Sequence, residues 1–127
     1  MEGPGGFYID KQLSIYIADN SDNSIVKWLK ESEQGIIVAG GYGIGSNLNQ
    51  FDYPVAVFVD EQDSNTLYIA DFGNSRVMQW LENATEGRTI IGTTGDDAGI
   101  QLNQFPSKKM PLRLSSYKNM LSGNIGL

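Results

Sequence analysis

Tyr16-Ile17-Ala18-Asp19 returns as Tyr68-Ile69-Ala70-Asp71, and Trp28-Leu29 returns as Trp80-Leu81, both at a spacing of 52 residues. Leu48-Asn49-Gln50-Phe51 returns as Leu102-Asn103-Gln104-Phe105 at 54, and Pro4 to Asp10 matches Pro54 to Asp60 at 50. A fixed period in the range of 20 to 50 residues or slightly above is the mark of a repeat architecture and has to be read before any local pattern. The period drifts by two residues at Asp63-Ser64-Asn65 and again between Thr93 and Gln101. Both places are polar or glycine-rich, where a loop takes an insertion at little entropic cost.

Within each repeat the apolar residues come in runs of strand length. Phe7 to Ile9, Ile15 to Ala18, Ser24 to Leu29 and Gly35 to Ala39 are followed by 55–59, 67–70, 75–81 and 88–91. These runs are rich in β-branched and aromatic residues, which suit a pleated surface. Asp19-Asn20-Ser21-Asp22-Asn23 and Asp71-Phe72-Gly73-Asn74 separate second and third runs. Their side chains hydrogen-bond nearby backbone N–H groups and tolerate left-handed backbone, as tight hairpins require. The expectation is an all-β chain of two four-stranded antiparallel sheets, packed face to face as blades of a β-propeller, about 4–53 and 54–105. Residues 106–127 keep only a loose echo, with Pro111-Leu112-Arg113-Leu114 in the place of Pro54-Val55-Ala56-Val57, and read either as a degenerate or truncated third blade or as a disordered basic tail.

Composition sets limits on function. With 40% hydrophobic and 10% aromatic residues in 127, a packed core is within reach. No apolar run approaches the ~20 residues of a membrane-spanning helix. Met1 to Gly6 offers neither a basic flank nor an apolar stretch, so no signal peptide is expected in this chain. Cysteine and histidine are both absent, which removes disulfides, thiolate ligands, thiol nucleophiles and the commonest general base. The net charge of −6 divides into −10 for residues 1–105 and +4 for the remainder. An acidic body repels phosphate, so nucleic acid is a poor partner.

The order Pro…Val-Asp, Leu67-Tyr68-Ile69-Ala70-Asp71, Gly73 to Trp80 and Thr89-Ile90-Ile91-Gly92 resembles the NHL repeat. The resemblance runs from about Pro4 to Phe105. It implies a propeller, commonly of six blades, of which this chain would be a fragment. Where the family carries an Asn-His-Leu-like triplet, this sequence has Asn74-Ser75-Arg76 and Asp22-Asn23-Ser24. Six-bladed relatives by architecture include lactone hydrolases with carboxylate- and amide-bound metal and NHL-type peptide-amidating lyases. The lyases bind metal through histidine, which this chain lacks. RNA binding, as in NHL domains of tripartite-motif proteins, conflicts with the acidic body.

Several stretches invite sharper readings. Gly40 to Ser46 follows a strand but lacks the Gly-Lys-Ser/Thr ending of a phosphate loop and is followed by no helical pattern, so it reads as a connection. Asp19 to Asn23 has the oxygen density of a calcium loop, yet Ser24 stands where glycine is needed and Lys30 where the bidentate glutamate belongs. No metal or other cofactor is expected, and no catalytic set is evident. Trp28 and Trp80 read as packing residues between neighbouring sheets. The loop residues offered for recognition are Asp19, Asn20, Asp71, Phe72, Asn74 and Arg76, and Asn83 opens a glycosylation sequon that matters if the chain is secreted. The reading that follows is a non-catalytic scaffold presenting loops to a protein or small ligand, with an enzyme fragment as the alternative. Two blades cannot close a ring, so the chain is expected to self-associate, three copies supplying six blades.

Overall fold

A computed structural model describes residues 6–92. Residues 93–127, including the Leu102 to Phe105 echo and the 106–127 third-blade or tail segment, lie outside the described residues. Eight strands run in chain order: β1 Phe7–Ile9, β2 Ile15–Asp19, β3 Ser24–Trp28, β4 Gly35–Gly40, β5 Pro54–Asp60, β6 Thr66–Asp71, β7 Arg76–Trp80 and β8 Arg88–Ile91. They form two four-stranded sheets in sequence order, β1-β2-β3-β4 and β5-β6-β7-β8, with every pairing antiparallel. The helical content among the described residues is a single 3-10 turn, Phe72–Asn74. Trp28 and Trp80 both end a third strand and pair with Ile15 and Leu67 respectively.

Hairpin chemistry is as the polar runs require. Asp19 Oδ1 accepts from the backbone N–H groups of Ser21 and Asp22, at 3.1 and 3.2 Å. Asn23 and Ser75 then take left-handed backbone, at φ 56° and 51°, and reverse the chain. Asp10 Oδ1 does the same work at the first turn by accepting from Gln12 N and Ser14 N. Each sheet carries a bulge between its third and fourth strands, at Ile25/Val26 and at Val77/Met78. Such a bulge steepens the local twist.

The two sheets face one another across a single apolar layer. From the first sheet come Tyr16, Ala18, Ile25 and Ala39, and from the second Val57, Val59, Leu67, Ile69, Met78 and Trp80. Strand alternation decides this, since Leu67 and Ile69 point to one side of β6 and Tyr68 and Ala70 to the other. The connection from β4 to β5 drops Phe51 into the same layer, fully buried and 5.5 Å from the Trp80 ring. Gly40 makes room for it: φ is 74°, and a Cβ there would lie 2.6 Å from the Phe51 ring. Tyr8 closes one side, packing edge-on against Phe58 at 5.1 Å and donating its hydroxyl to Glu61.

Candidate functional site

One end of the two sheets gathers the Asp19 to Asn23 turn, the 41–53 connection and the 71–75 turn. Backbone and side-chain bonds lock these loops together. Tyr53 N–H donates to Asn23 Oδ1 at 2.7 Å, and Gly73 N–H donates to the Asp52 carbonyl at 2.7 Å.

Beneath this end lies a buried polar network centred on Arg76, the first residue of β7. Its Nε donates to Asp71 Oδ2 at 2.8 Å, forming an ion pair in which both side chains are buried. Its other nitrogens donate to three carbonyls of the 41–53 connection: Ser46 at 2.9 Å, Asn47 at 3.0 Å and Gln50 at 2.7 Å. Asn74 Nδ2 bridges Asp71 Oδ2 and the Gly45 carbonyl, and Asp71 Oδ1 accepts from Asp52 N–H. Burial pushes the Asp71 carboxyl up from the ordinary aspartate range, against the opposing pull of the Asn74, Asp52 and Arg76 donors. Five donors on one planar guanidinium are what let a single side chain hold a carboxylate and three carbonyls together.

The six candidate loop residues therefore divide. Asp71 and Arg76 are spent inside the network, and part-buried Asn74 is tied to it by two bonds. Asp19 and Asn20 stand half-exposed at the first hairpin, with Asp19 capping its own turn. Phe72 alone offers an open apolar surface, 44% exposed. The sequence reading missed its neighbour Tyr53, 46% exposed, whose ring centroid lies 6.4 Å from that of Phe72. Tyr53 sits in left-handed backbone at φ 64° just before β5, a conformation that residue type does not announce.

The opposite end opens into a cleft of about 280 Å³ between the sheets. An apolar wall of Ile36, Ile37, Leu67 and Ala84 meets Lys27 and Glu82. Lys27 Nζ lies 5.2 Å from the Tyr16 ring centroid. Burial raises the Tyr16 phenol pKa, against the lowering influence of Lys27. Asn83, the sequon residue, is exposed on the rim of this cleft. Of the tryptophans, Trp80 is buried as a packing residue, its Nε1 donating to the Ala84 carbonyl at 3.0 Å. Trp28 is only half-buried, on the side of the first sheet that faces away from the second.

Among the described residues no group of three or more acidic, histidine or cysteine side chains is arranged to hold a metal ion, and no helix is long and apolar enough to cross a membrane. Comparison of the chain with protein-family models and with curated proteins finds no match to either.

Proposed function

We propose that the two repeats are blades of an NHL-type β-propeller, a fragment of a six-bladed ring, and that the chain is a non-catalytic scaffold whose loop end captures a protein partner. The observation that carries this reading is the exposed Tyr53–Phe72 pair, seated on loops that the buried Arg76 network holds in place. Rigid aromatic anchors inside a polar rim are the residues that dominate binding energy at protein interfaces. The loops of this end are acidic, carrying Asp19, Asp22 and Asp52, while the one basic side chain beside them, Arg76 at the start of β7, is neutralised by Asp71. The partner that fits is therefore a protein segment carrying Lys or Arg beside an apolar side chain, which also sets nucleic acid aside.

Selection of a random peptide library on the immobilised chain, with counter-selection on a Y53A/F72A double variant, tests the reading. Peptides that depend on the two rings should be enriched in Lys and Arg and should weaken as salt rises. Equal enrichment on both chains would overturn it. The inter-sheet cleft favours a second, smaller role, because Lys27 and Glu82 against an apolar wall suit an amphipathic small molecule. A fragment screen by NMR should then shift the Lys27, Asn83 and Ala84 signals together.

A further inference from the structure

The two walls of the inter-sheet cleft carry opposite charges that do not meet. On the first sheet, half-buried Lys27 of β3 pairs across the strands with Tyr16 of β2 and Ile36 of β4, neither of them an acid. On the other wall, exposed Glu82 accepts a long bond from Asn65 Nδ2 at 3.4 Å. Among the described residues neither Lys27 nor Glu82 enters an ion pair. Burial does most to raise the Tyr16 phenol pKa, and the fields of both charges reach it as well, Lys27 lowering and Glu82 raising it.

The internal repeat shows that a cation is not needed here to hold the sheet. The equivalents of Tyr16, Lys27 and Ile36, 52 residues later, are Tyr68, Gln79 and Arg88. Gln79 Nε2 donates to the Tyr68 hydroxyl at 3.2 Å, and Gln79 Oε1 accepts from Arg88 Nε at 2.7 Å. A neutral amide thus makes the cross-strand contact and is satisfied by its neighbour. In the first repeat the same position holds an ammonium beside an apolar neighbour, and that ammonium lines the cleft. The turn that carries Glu82 is itself fixed, by Ala84 N–H donating to the Leu81 carbonyl and by Trp80 Nε1 donating to the Ala84 carbonyl, both at 3.0 Å. Groups held in place before a ligand arrives cost less to order when it binds.

We propose that the cleft binds a small zwitterion with an apolar body, the chemistry of a free amino acid with an aliphatic or aromatic side chain. Its carboxylate meets Lys27, its ammonium meets Glu82, and its side chain lies against Ile36, Leu67 and Ala84. Each end of such a ligand supplies the charge that one wall lacks, through a charge-assisted hydrogen bond. A ligand with a single charge leaves one wall unanswered. The volume of about 280 Å³ stands at the small end of ligand sites, which suits one amino acid rather than a longer peptide. The inference rests on the small-molecule reading of this cleft and is independent of the Tyr53–Phe72 end.

The test is an NMR titration of the full 127-residue chain, following the Lys27, Asn83 and Ala84 signals. Its probes are leucine with 4-methylpentanoate and 3-methylbutylamine, and phenylalanine with 3-phenylpropanoate and phenethylamine, so that each amino acid is matched by the acid without its ammonium and the amine without its carboxylate. At least one amino acid should shift the three signals saturably in the millimolar range or below. Its acid and its amine should bind about tenfold more weakly, as loss of a hydrogen bond to a charged group implies. Lys27→Gln, which installs the residue of the second repeat and should keep the wild-type circular dichroism spectrum, should weaken the amino acid and the acid alike. Glu82→Gln should weaken the amino acid and leave the acid unchanged. Acid or amine binding as tightly as the amino acid, or an unchanged amino-acid affinity in either variant, would overturn the proposal. Amino acids that leave the signals still would overturn it too: if other fragments move those signals, the cleft remains a small-molecule site for a different class of ligand, and if none does, both readings fall.

Discussion

The two sheets share a fold and a sequence pattern, yet they solve the same local problem differently. In the second, the residue that opens the third strand is Arg76, which ties Asp71 to three carbonyls of the preceding connection. In the first, the equivalent position is Ser24, fully buried, with its hydroxyl oxygen lacking a hydrogen-bond partner. The second sheet is fastened across its end to the chain that precedes it. The first has no such side-chain tie to a preceding connection: Asp19 caps its own turn, and Asn23 Oδ1 accepts from Tyr53 N–H of the connection that follows. Equivalent apolar positions follow the same division: Val57, Leu67 and Trp80 are buried against the first sheet, while Phe7 and Ile15 are exposed and Trp28 is half-buried. A repeat position therefore specifies an orientation, and the neighbour decides what that orientation is worth.

The largest effect should come from breaking the fastening. Arg76→Ala leaves the buried Asp71 carboxylate without its cation and three carbonyls without donors, so a loss of about 3–5 kcal/mol in unfolding free energy is expected. Ser24→Ala removes only a buried hydroxyl that has no partner, and its effect should be near zero or stabilising by up to about 1 kcal/mol. Urea unfolding of both variants beside the wild type reads the contrast directly. Comparable losses at the two positions would show that both sheets are fastened alike at this end and would overturn the contrast.

The tryptophans sharpen the same contrast at a lower magnitude. Trp80→Ala empties a packed layer against Phe51 and frees the Ala84 carbonyl, at a cost of about 3–5 kcal/mol. Trp28→Ala removes a half-exposed ring, and about 1–2 kcal/mol is expected from the area it covers.

Much of this was legible before any coordinates. The 52-residue recurrence and the alternation of apolar residues locate all eight strands, because strand period and hairpin chemistry are local properties. The burial of Trp80 also follows from the pattern. Trp28 does not, because the same pattern acquires a neighbour in one repeat and none among the described residues in the other. The candidate loop residues show the limit most clearly. Asp71, Asn74 and Arg76 read as exposed hairpin side chains, and in the structure they are the inner ties of the loop end. What decided their fate was the 41–53 connection folding over them, a contact 20 to 30 residues distant that no local spacing encodes. Tyr53 was passed over for the related reason that a lone aromatic before a proline gives no sign of being left in solvent.

The smallest expected effect concerns the other pair of equivalent positions whose chemistry diverges, Tyr8 with Phe58 and Lys11 with Glu61. Only the first repeat has the hydroxyl and only the second has the carboxylate, so the two sheets are joined there by Tyr8 Oη donating to Glu61 Oε2, seconded by Lys11 N–H donating to Oε1 at 3.0 Å. The Tyr8 bond, then the Lys11 backbone bond, hold the Glu61 carboxyl below the ordinary glutamate range. A carboxyl whose pKa is lower folded than unfolded stabilises the fold above its unfolded value, and that contribution disappears as pH falls through the folded value. The stability difference between wild type and Glu61→Gln should therefore be level at neutral pH. It should shrink once pH drops below the ordinary glutamate value of about 4.3. Tyr8→Phe, which makes the first repeat match the second, removes the larger cause and should move the Glu61 titration, followed by carboxyl carbon NMR, back toward that ordinary value. Because the carboxylate is open to solvent, both effects should be small and should fade with added salt. A Glu61 titration that stays put in Tyr8→Phe would assign the lowering to Lys11 instead.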